Sequence, residues 1–417
     1  MRRTVFWLAL PLAVGGCSNQ APGGALGQAG ADCAAPGIGC GYEAPNTGVP
    51  DMSGEGAGGS TSSTPAGEVV MPGELVGQGA NGAAGGGTAS AGAVPGSDEL
   101  EMGGAGSDRC DVGVFDPNDP PEALVLTGSL GAHDPVILGA NGQYYYFSTG
   151  NGISSKTSSN LLAWANQGPV FATLPTWFQD LVPDFTGRNV WAPDISYFGG
   201  QYHLYYSVSS FGSNRSCIGH ATRALLDAGE WTDQKSVFCS NQPGQADNFN
   251  AIDPNVIVDA AGTPWMVFGS FWSGIEMIRL DQAGNRDGTD LIEIASRGGG
   301  AIEAPFIVRR CGYYYLFVSF DRCCQGADST YNTRVGRSTE LAGPYVDKAG
   351  TPLLRGGGSL VLQAGGDWVG PGHNAILIDG TRAYNVYHAY AAANGASQLR
   401  ISELVWDSEG WPISGGP

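Results

Sequence analysis

The chain has 417 residues, of which 67 are glycine and only 14% are charged, and its formal net charge is -19. A surface this acidic repels phosphate backbones, which excludes nucleic acid as a partner. Acidity does not choose among neutral substrates, so a polysaccharide and a neutral peptide both stay open.

Arg2 and Arg3 precede a short apolar run, Val5 to Val14, followed by Gly15, Gly16 and Cys17. A basic start, an apolar stretch too short to span a bilayer and small residues before a Cys describe a lipoprotein-type signal peptide over residues 1–16. Cys17 is then the lipidated first residue of the mature chain. The protein is expected to be exported and lipid-anchored at the bacterial cell envelope, or secreted if Cys17 carries no lipid. Membrane contact is expected only through that anchor. Residues 17–108 contain no Lys or Arg, and Tyr42 is their only aromatic. Such a segment buries too little apolar surface to offset its ordering entropy and reads as a long disordered linker.

From residue 109 to 417 the composition changes. β-Branched and aromatic residues come in short runs separated by Gly, Asn and Asp, which is the pattern of strands and turns. No long 3.6-residue period stands out, so the fold class is all-β with few helices. Setting Cys17 aside leaves eight of the nine cysteines, as befits an exported domain. Cys33 and Cys40 bracket a linker loop. Cys217 and Cys239 stand close enough to bridge neighbouring strands, Cys323 and Cys324 are adjacent, and Cys110 and Cys311 are able to staple the domain's start to a later strand. The pairings stay open at this level.

Five segments repeat a polar residue before an apolar strand: His133-Asp134-Pro135, Ala192-Pro193-Asp194, Ile252-Asp253-Pro254, Glu303-Ala304-Pro305 and Gly372-His373-Asn374. An aromatic run follows each. From Asp134 through Asp194, Asp253 and Glu303 to His373 the steps are 60, 59, 50 and 70 residues, which suits four-stranded propeller blades. A five-bladed β-propeller gathers the starts of its inner strands around one axis, so four acids and a His in phase with the repeat deliver two or three carboxylates and a His to one place. Hydrolysis of a glycosidic bond needs two carboxyl groups whose proton affinities are pushed apart by their surroundings. Asp before Pro also favours turns. An acid inside the apolar run Ile302-Glu303-Ala304-Pro305-Phe306-Ile307 has little reason to be buried unless it acts.

The strings "HDPVI", "VWAPDIS", "YYSVSSFGSNRSCIGHATR", "FNAIDPNVI", "PWMVFGSFWSGI", "AIEAPFIV", "YYYLFVSFDRCC", "AGPYVDK", "GPGHNAI" and "VYHAY" occur in this order at blade spacing. Over about residues 125 to 415 the chain resembles endo-α-1,5-L-arabinanases of glycoside hydrolase family 43. The resemblance implies a five-bladed propeller that hydrolyses internal α-1,5-L-arabinofuranosidic bonds of arabinan with inversion. It implies Asp134 as general base, Glu303 as general acid and Asp253 as the residue that tunes the acid and orients the sugar. The two reacting carboxyls of an inverting enzyme stand roughly 6.5–9.5 Å apart to admit a water. Segments resembling substrate contacts are Phe211-Gly212, Asn250-Ala251-Ile252-Asp253 and Ser270-Phe271-Trp272, with Trp191 a further stacking platform. His373 matches a His beside a divalent cation in the central channel, reached partly through water; the resemblance suggests calcium. Asp194 is expected to hold its blade, and His133, His220 and His388 to pack or hydrogen-bond, with His203 on a strand face. Two other readings stand beside this one: an exo-acting arabinosidase or xylosidase of the same family, and a non-catalytic glycan-binding propeller. A monomer is expected, because propellers hide their sheet edges.

Overall fold

Tight turns fold consecutive strands back on one another, and the result is five antiparallel sheets arranged as blades. The structure, a computed structural model, describes residues 108–417 apart from residue 188. The expected signal peptide, Cys17 and all but the last residue of the expected linker lie outside the described residues. The inner strands are Val136–Ala140, Asn189–Phe198, Asn255–Val258, Ile302–Arg310 and Trp368–Asp379. Each is followed by three more strands in simple succession outward. The inner strands of successive blades touch, and the fifth touches the first, so the ring closes as a five-bladed propeller. Turn chemistry explains several of the first hairpins. Asn141-Gly142, Gly199-Gly200 and Cys311-Gly312 all have positive φ at both positions, the two-residue turn whose twist matches that of the flanking strands. Among the described residues helix is confined to Trp177–Leu181 and two 3-10 turns.

The four main strands of every blade follow one another in the chain, with Gly150–Asn151 of the first blade's middle loop adding a short pair to the inner edge of blade two, so no blade is completed by the other end of the chain. The ring is instead closed by the segment that precedes the first blade. Thr127–Gly128 pairs in parallel with Ala163 and Trp164 on the outer edge of blade one. On its other side the segment bonds to blade five: Phe115 N–H to Trp406 O at 3.1 Å, Leu124 N–H to Ile401 O at 2.8 Å, and Leu399 N–H to Leu130 O at 2.7 Å. Cys110 is joined to Cys311 in blade four. There the Arg310 guanidinium donates to Val112 O at 2.7 Å and Cys110 O at 2.9 Å. One strap thus touches blades four, five and one. The Cys217–Cys239 and Cys323–Cys324 bonds are also formed.

The Cys110–Cys311 bond closes a sequence separation of 201 residues, a long loop for the unfolded chain to lose. Replacing both by Ala is expected to lower unfolding free energy by about 2–5 kcal/mol while leaving the secondary structure intact. Denaturant unfolding checks this, and an unchanged midpoint would show that the backbone bonds of the strap suffice.

Candidate active site

In an antiparallel meander the start of the first strand and the loop between the second and third lie at the same end. One face of the ring therefore carries the five inner-strand starts together with the loops around Phe211, Phe271 and Cys324. At each start one residue sits in the left-handed region: Asp134 at φ 52°, Ala192 at 43°, Asp253 at 57°, Ala304 at 54° and His373 at 49°. None is Gly, and for L-residues this conformation costs roughly 1–2 kcal/mol each. The structural repeat thus aligns Asp134, Ala192, Asp253, Ala304 and His373. The sequence repeat placed Asp194 and Glu303 in phase with Asp134; in space Glu303 precedes the repeated position and Asp194 follows it. The kink is a bulge in the ladder at three of the five starts, a device that re-aims side chains.

A single pattern holds these kinks. The backbone N–H of each left-handed residue donates to a side chain of the preceding blade. Ala192 reaches Thr149 Oγ1 at 2.8 Å, Asp253 reaches Ser207 Oγ at 2.9 Å and His373 reaches Ser319 Oγ at 2.8 Å. Ala304 reaches Asp253 Oδ2 at 3.1 Å, and Asp134 closes the circle on His388 Nδ1 at 3.1 Å.

Asp134 is surrounded by donors. Its Oδ1 lies 2.9 Å from His133 Nδ1 and 3.1 Å from His373 Nδ1, and its Oδ2 accepts from Thr149 Oγ1 at 2.5 Å. Burial by itself would raise its proton affinity, but the charges and hydrogen bonds of His133 and His373 outweigh burial and hold the carboxyl well below its usual range. Asp253 goes the other way. Burial, aided by the charges of Glu303 and Asp134 and opposed by His373, pushes it up to about 8. Glu303 is gripped by two hydroxyls, Ser270 at 2.8 Å on Oε2 and Tyr331 at 2.7 Å on Oε1. The face thus holds one carboxylate kept ionised, one carboxyl kept protonated, and a third clamped between neutral donors.

The other expected positions fall into two groups. Phe211 is 79% exposed, and its ring centroid lies 4.9 Å from that of half-buried Trp191, tilted by 43°. Phe271 is exposed and Trp272 half-buried, both with positive φ, and Gly212 has φ 76°. By contrast Asn250, Ala251, Ile252 and Ser270 are buried. Asn250 Oδ1 accepts from Ser216 at 2.7 Å, and Ser270 is spent on Glu303. These four belong to the interior rather than to the exposed aromatic set. Asp194 ties blades together: its carboxylate accepts from Val256 N–H at 2.8 Å and Asn255 Nδ2 at 3.2 Å, and Asn255 Oδ1 accepts from Ile307 N–H at 2.9 Å.

Sequence reasoning undervalued four residues here. His133 and His388 flank Asp134, their rings stacked at 4.1 Å; Tyr331 and Tyr390 reach Glu303 and His133 respectively. His133 is adjacent to Asp134 in sequence, and His388 and Tyr390 share one matched string, which was the available signal. Tyr331 lies in no matched string. His203 and His220 are remote from the site and form a fully buried stacked pair, bonded at 2.9 Å.

His133, Asp134 and His388 cluster closely enough to suggest a metal site in the central channel. Their hydrogen bonds argue against calcium at that cluster. His388 Nδ1 accepts the Asp134 N–H, so its proton sits on Nε2, which is buried and without a partner. Both His133 nitrogens are also engaged. Calcium takes six to eight oxygens, and this cluster offers two imidazoles and one carboxylate already bonded on both oxygens.

A five-bladed propeller that gathers three carboxyl groups on one face, Asp134 held ionised and Asp253 held protonated beside Glu303, with exposed aromatic rings on the same face, is the architecture of a glycan-cleaving enzyme. Residues 125–412 match the model of glycosyl hydrolases family 43, and the chain belongs to that family. It is 44% identical to an extracellular endo-α-(1→5)-L-arabinanase of Bacillus subtilis over 72% of this chain and 93% of the relative. It is 41% identical to an extracellular exo-α-(1→5)-L-arabinofuranosidase of Cellvibrio japonicus over 67% of this chain and 85% of the relative. The structure of a Cellvibrio cellulosa α-L-arabinanase complexed with arabinohexaose superposes with a TM-score of 0.65 at 41% identity, covering 68% of this chain and 95% of that one.

Asp194 supplies a test of the inter-blade tie. Burial raises its carboxyl from the usual 3.8 to about 7. The folded state therefore binds this proton more tightly than the unfolded chain, and the associated stability is full below about pH 4 and lost as pH rises through about 7. Asp194→Asn is expected to flatten the fall in melting temperature across that window, read as the difference between variant and wild type. Parallel curves would show that Asp194 does not carry it.

Proposed function

We propose that this protein hydrolyses internal α-1,5-L-arabinofuranosidic bonds of arabinan, the side-chain polysaccharide of pectin, by an inverting mechanism with Asp134 as base and Glu303 as acid. The observation that carries this is the opposed proton affinity around one face: Asp134 held ionised by two imidazoles, with a protonated carboxyl beside Glu303. The endo-arabinanase relative, alike over nearly its whole length, supplies the substrate.

In the proposed step a water attacks the anomeric carbon of the arabinofuranosyl unit. Its proton passes to the Asp134 carboxylate as the new C–O bond forms on the face opposite the leaving group. The old C–O bond breaks, and Glu303 gives its proton to the departing O5. Ser270, now a donor to Glu303, turns its hydroxyl to accept when Glu303 is protonated. Burial, with the nearby charges of Glu303 and Asp134, keeps a proton on Asp253 beside Glu303 at neutral pH. Asp253 also orients the sugar. Phe211, Trp191, Phe271 and Trp272 offer apolar faces to furanose rings, and Gly212 lets the chain approach the backbone closely. Asn250, Ala251 and Ile252 back that groove.

The exo-acting relative keeps a second reading in view, and product profiles separate the two. With linear and debranched arabinan the wild type is expected to shorten chains rapidly, with initial products of inverted anomeric form by proton NMR. Glu303→Gln is expected to lose about 10²–10⁴-fold in kcat. Arabinose as sole early product would establish exo action. Retention of arabinan without cleavage would establish a binding propeller.

The reading extends to a divalent cation, calcium by family resemblance, near His373 and held through water. No step of the mechanism passes through it. Elemental analysis is expected to find about one such ion per chain, lost in His373→Ala, since an outer shell built on one imidazole has no second protein anchor. No ion in the wild type would end this part of the reading. We further propose export as a monomer with a lipid on Cys17. Intact-mass measurement of the membrane fraction tests the lipid, and release of Cys17→Ala into the medium is the expected outcome.

A further inference from the structure

The loop between the second and third strands of blade four, Asp321 to Tyr331, touches the surroundings of both reacting carboxyl groups. It is pinned at its base, where the Asp321 carboxylate accepts from Arg297 Nη1 at 3.0 Å and from Asn332 Nδ2 at 2.8 Å. Thr330 N–H donates across the loop to Arg322 O at 2.9 Å. A 3-10 turn, Gly326–Asp328, tightens its tip, and Gln325 N–H is capped by Ser329 Oγ at 3.0 Å. The loop carries the Cys323–Cys324 disulfide.

Two chains of contact run from it. At one end Cys324 N–H donates to the Tyr390 hydroxyl at 2.8 Å, and that hydroxyl lies 2.8 Å from His133 Nε2. Cys324 Sγ stands 3.7 Å from the same nitrogen, and the opposite ring nitrogen of His133 lies 2.9 Å from Asp134 Oδ1. At the other end Tyr331 donates directly to Glu303. Tyr331 is 2% exposed and its ring packs against Gly372, where an added Cβ would come within 2.1 Å of Cδ1. Cys324 is exposed and has φ 66°, a conformation that L-residues leave readily unless held. The bond to its neighbour supplies the hold. With that bond open, Cys324 is free to relax, and its N–H no longer fixes the Tyr390 hydroxyl against His133.

We propose that this loop, locked by the Cys323–Cys324 disulfide, is a positioning device for both reacting carboxyls: Cys324 and Tyr390 set His133 and through it Asp134, while Tyr331 sets Glu303. The proposal rests on the roles given to Asp134 and Glu303 above. It divides the loop into a base-side and an acid-side half, which leaving-group chemistry tells apart. A dinitrophenolate departs without a proton, so a substrate carrying it has no need of the acid.

The test uses the full chain with linear arabinan and a 2,4-dinitrophenyl arabino-oligosaccharide, and measures kcat and KM on both. Tyr331→Phe is expected to lose about tenfold in kcat on arabinan and to keep wild-type kcat on the dinitrophenyl substrate. Tyr390→Phe and the Cys323→Ser/Cys324→Ser double variant are expected to lose about tenfold in kcat on both substrates, with KM within about twofold. Added azide, a nucleophile that needs no base, should restore part of their rate on the dinitrophenyl substrate. Cys110→Ser/Cys311→Ser controls for losing a disulfide elsewhere and should keep wild-type kinetics at moderate temperature. Wild-type kcat in a folded double variant overturns the proposal, and so does a loss confined to KM, which would make the loop a substrate wall. If the double variant does not fold, the two Tyr variants decide, and the same leaving-group response in both overturns it. Asp134→Asn and Glu303→Gln separate the two levels. Wild-type activity in either would overturn the roles themselves. Inactivity in both beside normal loop variants would overturn only the positioning.

Discussion

The site depends on five backbone N–H groups being tied across the seams between blades. Each belongs to a residue held left-handed at the start of an inner strand, and each finds its acceptor on the blade before. A strained backbone position persists only when its surroundings over-determine it. The circle of acceptors does so, with each bond contributing about 1 kcal/mol net against a conformational cost of similar size. The outcome is geometric: at each of five places a side chain is turned out of the strand's alternation toward the axis.

Two members of that circle also touch the carboxyl groups proposed to react. Asp253 spends one carboxylate oxygen on the Ala304 N–H, which places it beside the residue next to Ala304, Glu303. His388 takes the Asp134 N–H and stacks on His133, which contacts the same Asp. Blade three reaches blade four through a carboxylate, and blade five reaches blade one through an imidazole. The other three seams use plain hydroxyls from Thr149, Ser207 and Ser319. Scaffold and proposed reaction centre therefore share atoms at Asp253 and His388.

Electrostatics follow from the same crowding. Carboxyl groups brought together in a buried place cannot all ionise. Which one keeps its charge is decided by imidazoles: Asp134 has two at hydrogen-bond distance, whereas the burial of Asp253 is opposed by His373 only at longer range. His373, buried among these acids, is itself raised to about 9, the carboxylates of Asp134 and Asp253 overcoming the penalty of burial. Asp194 is raised by burial to about 7, against the hydrogen bonds of Val256 and Asn255 and the longer-range charge of His373.

The sequence by itself determined the class of fold and the number of blades. Strand alternation, Gly-bearing turns and a period of 50 to 70 residues are local properties of the chain. It also determined that Asp134, Asp253 and Glu303 belong to inner-strand starts, since an acid one or two places before Pro at the head of an apolar run is legible in one dimension. It misplaced the phase of Asp194 and Glu303, because the repeated feature is a backbone conformation rather than an acid, and Ala192 and Ala304 occupy it as readily as Asp. Only the tertiary structure decided which groups surround each carboxyl. His388, Tyr331 and Tyr390 lie on other blades or loops, 254 residues from Asp134 in the case of His388. Proton affinity depends on such through-space neighbours and on burial, neither of which is written in the order of residues along the chain.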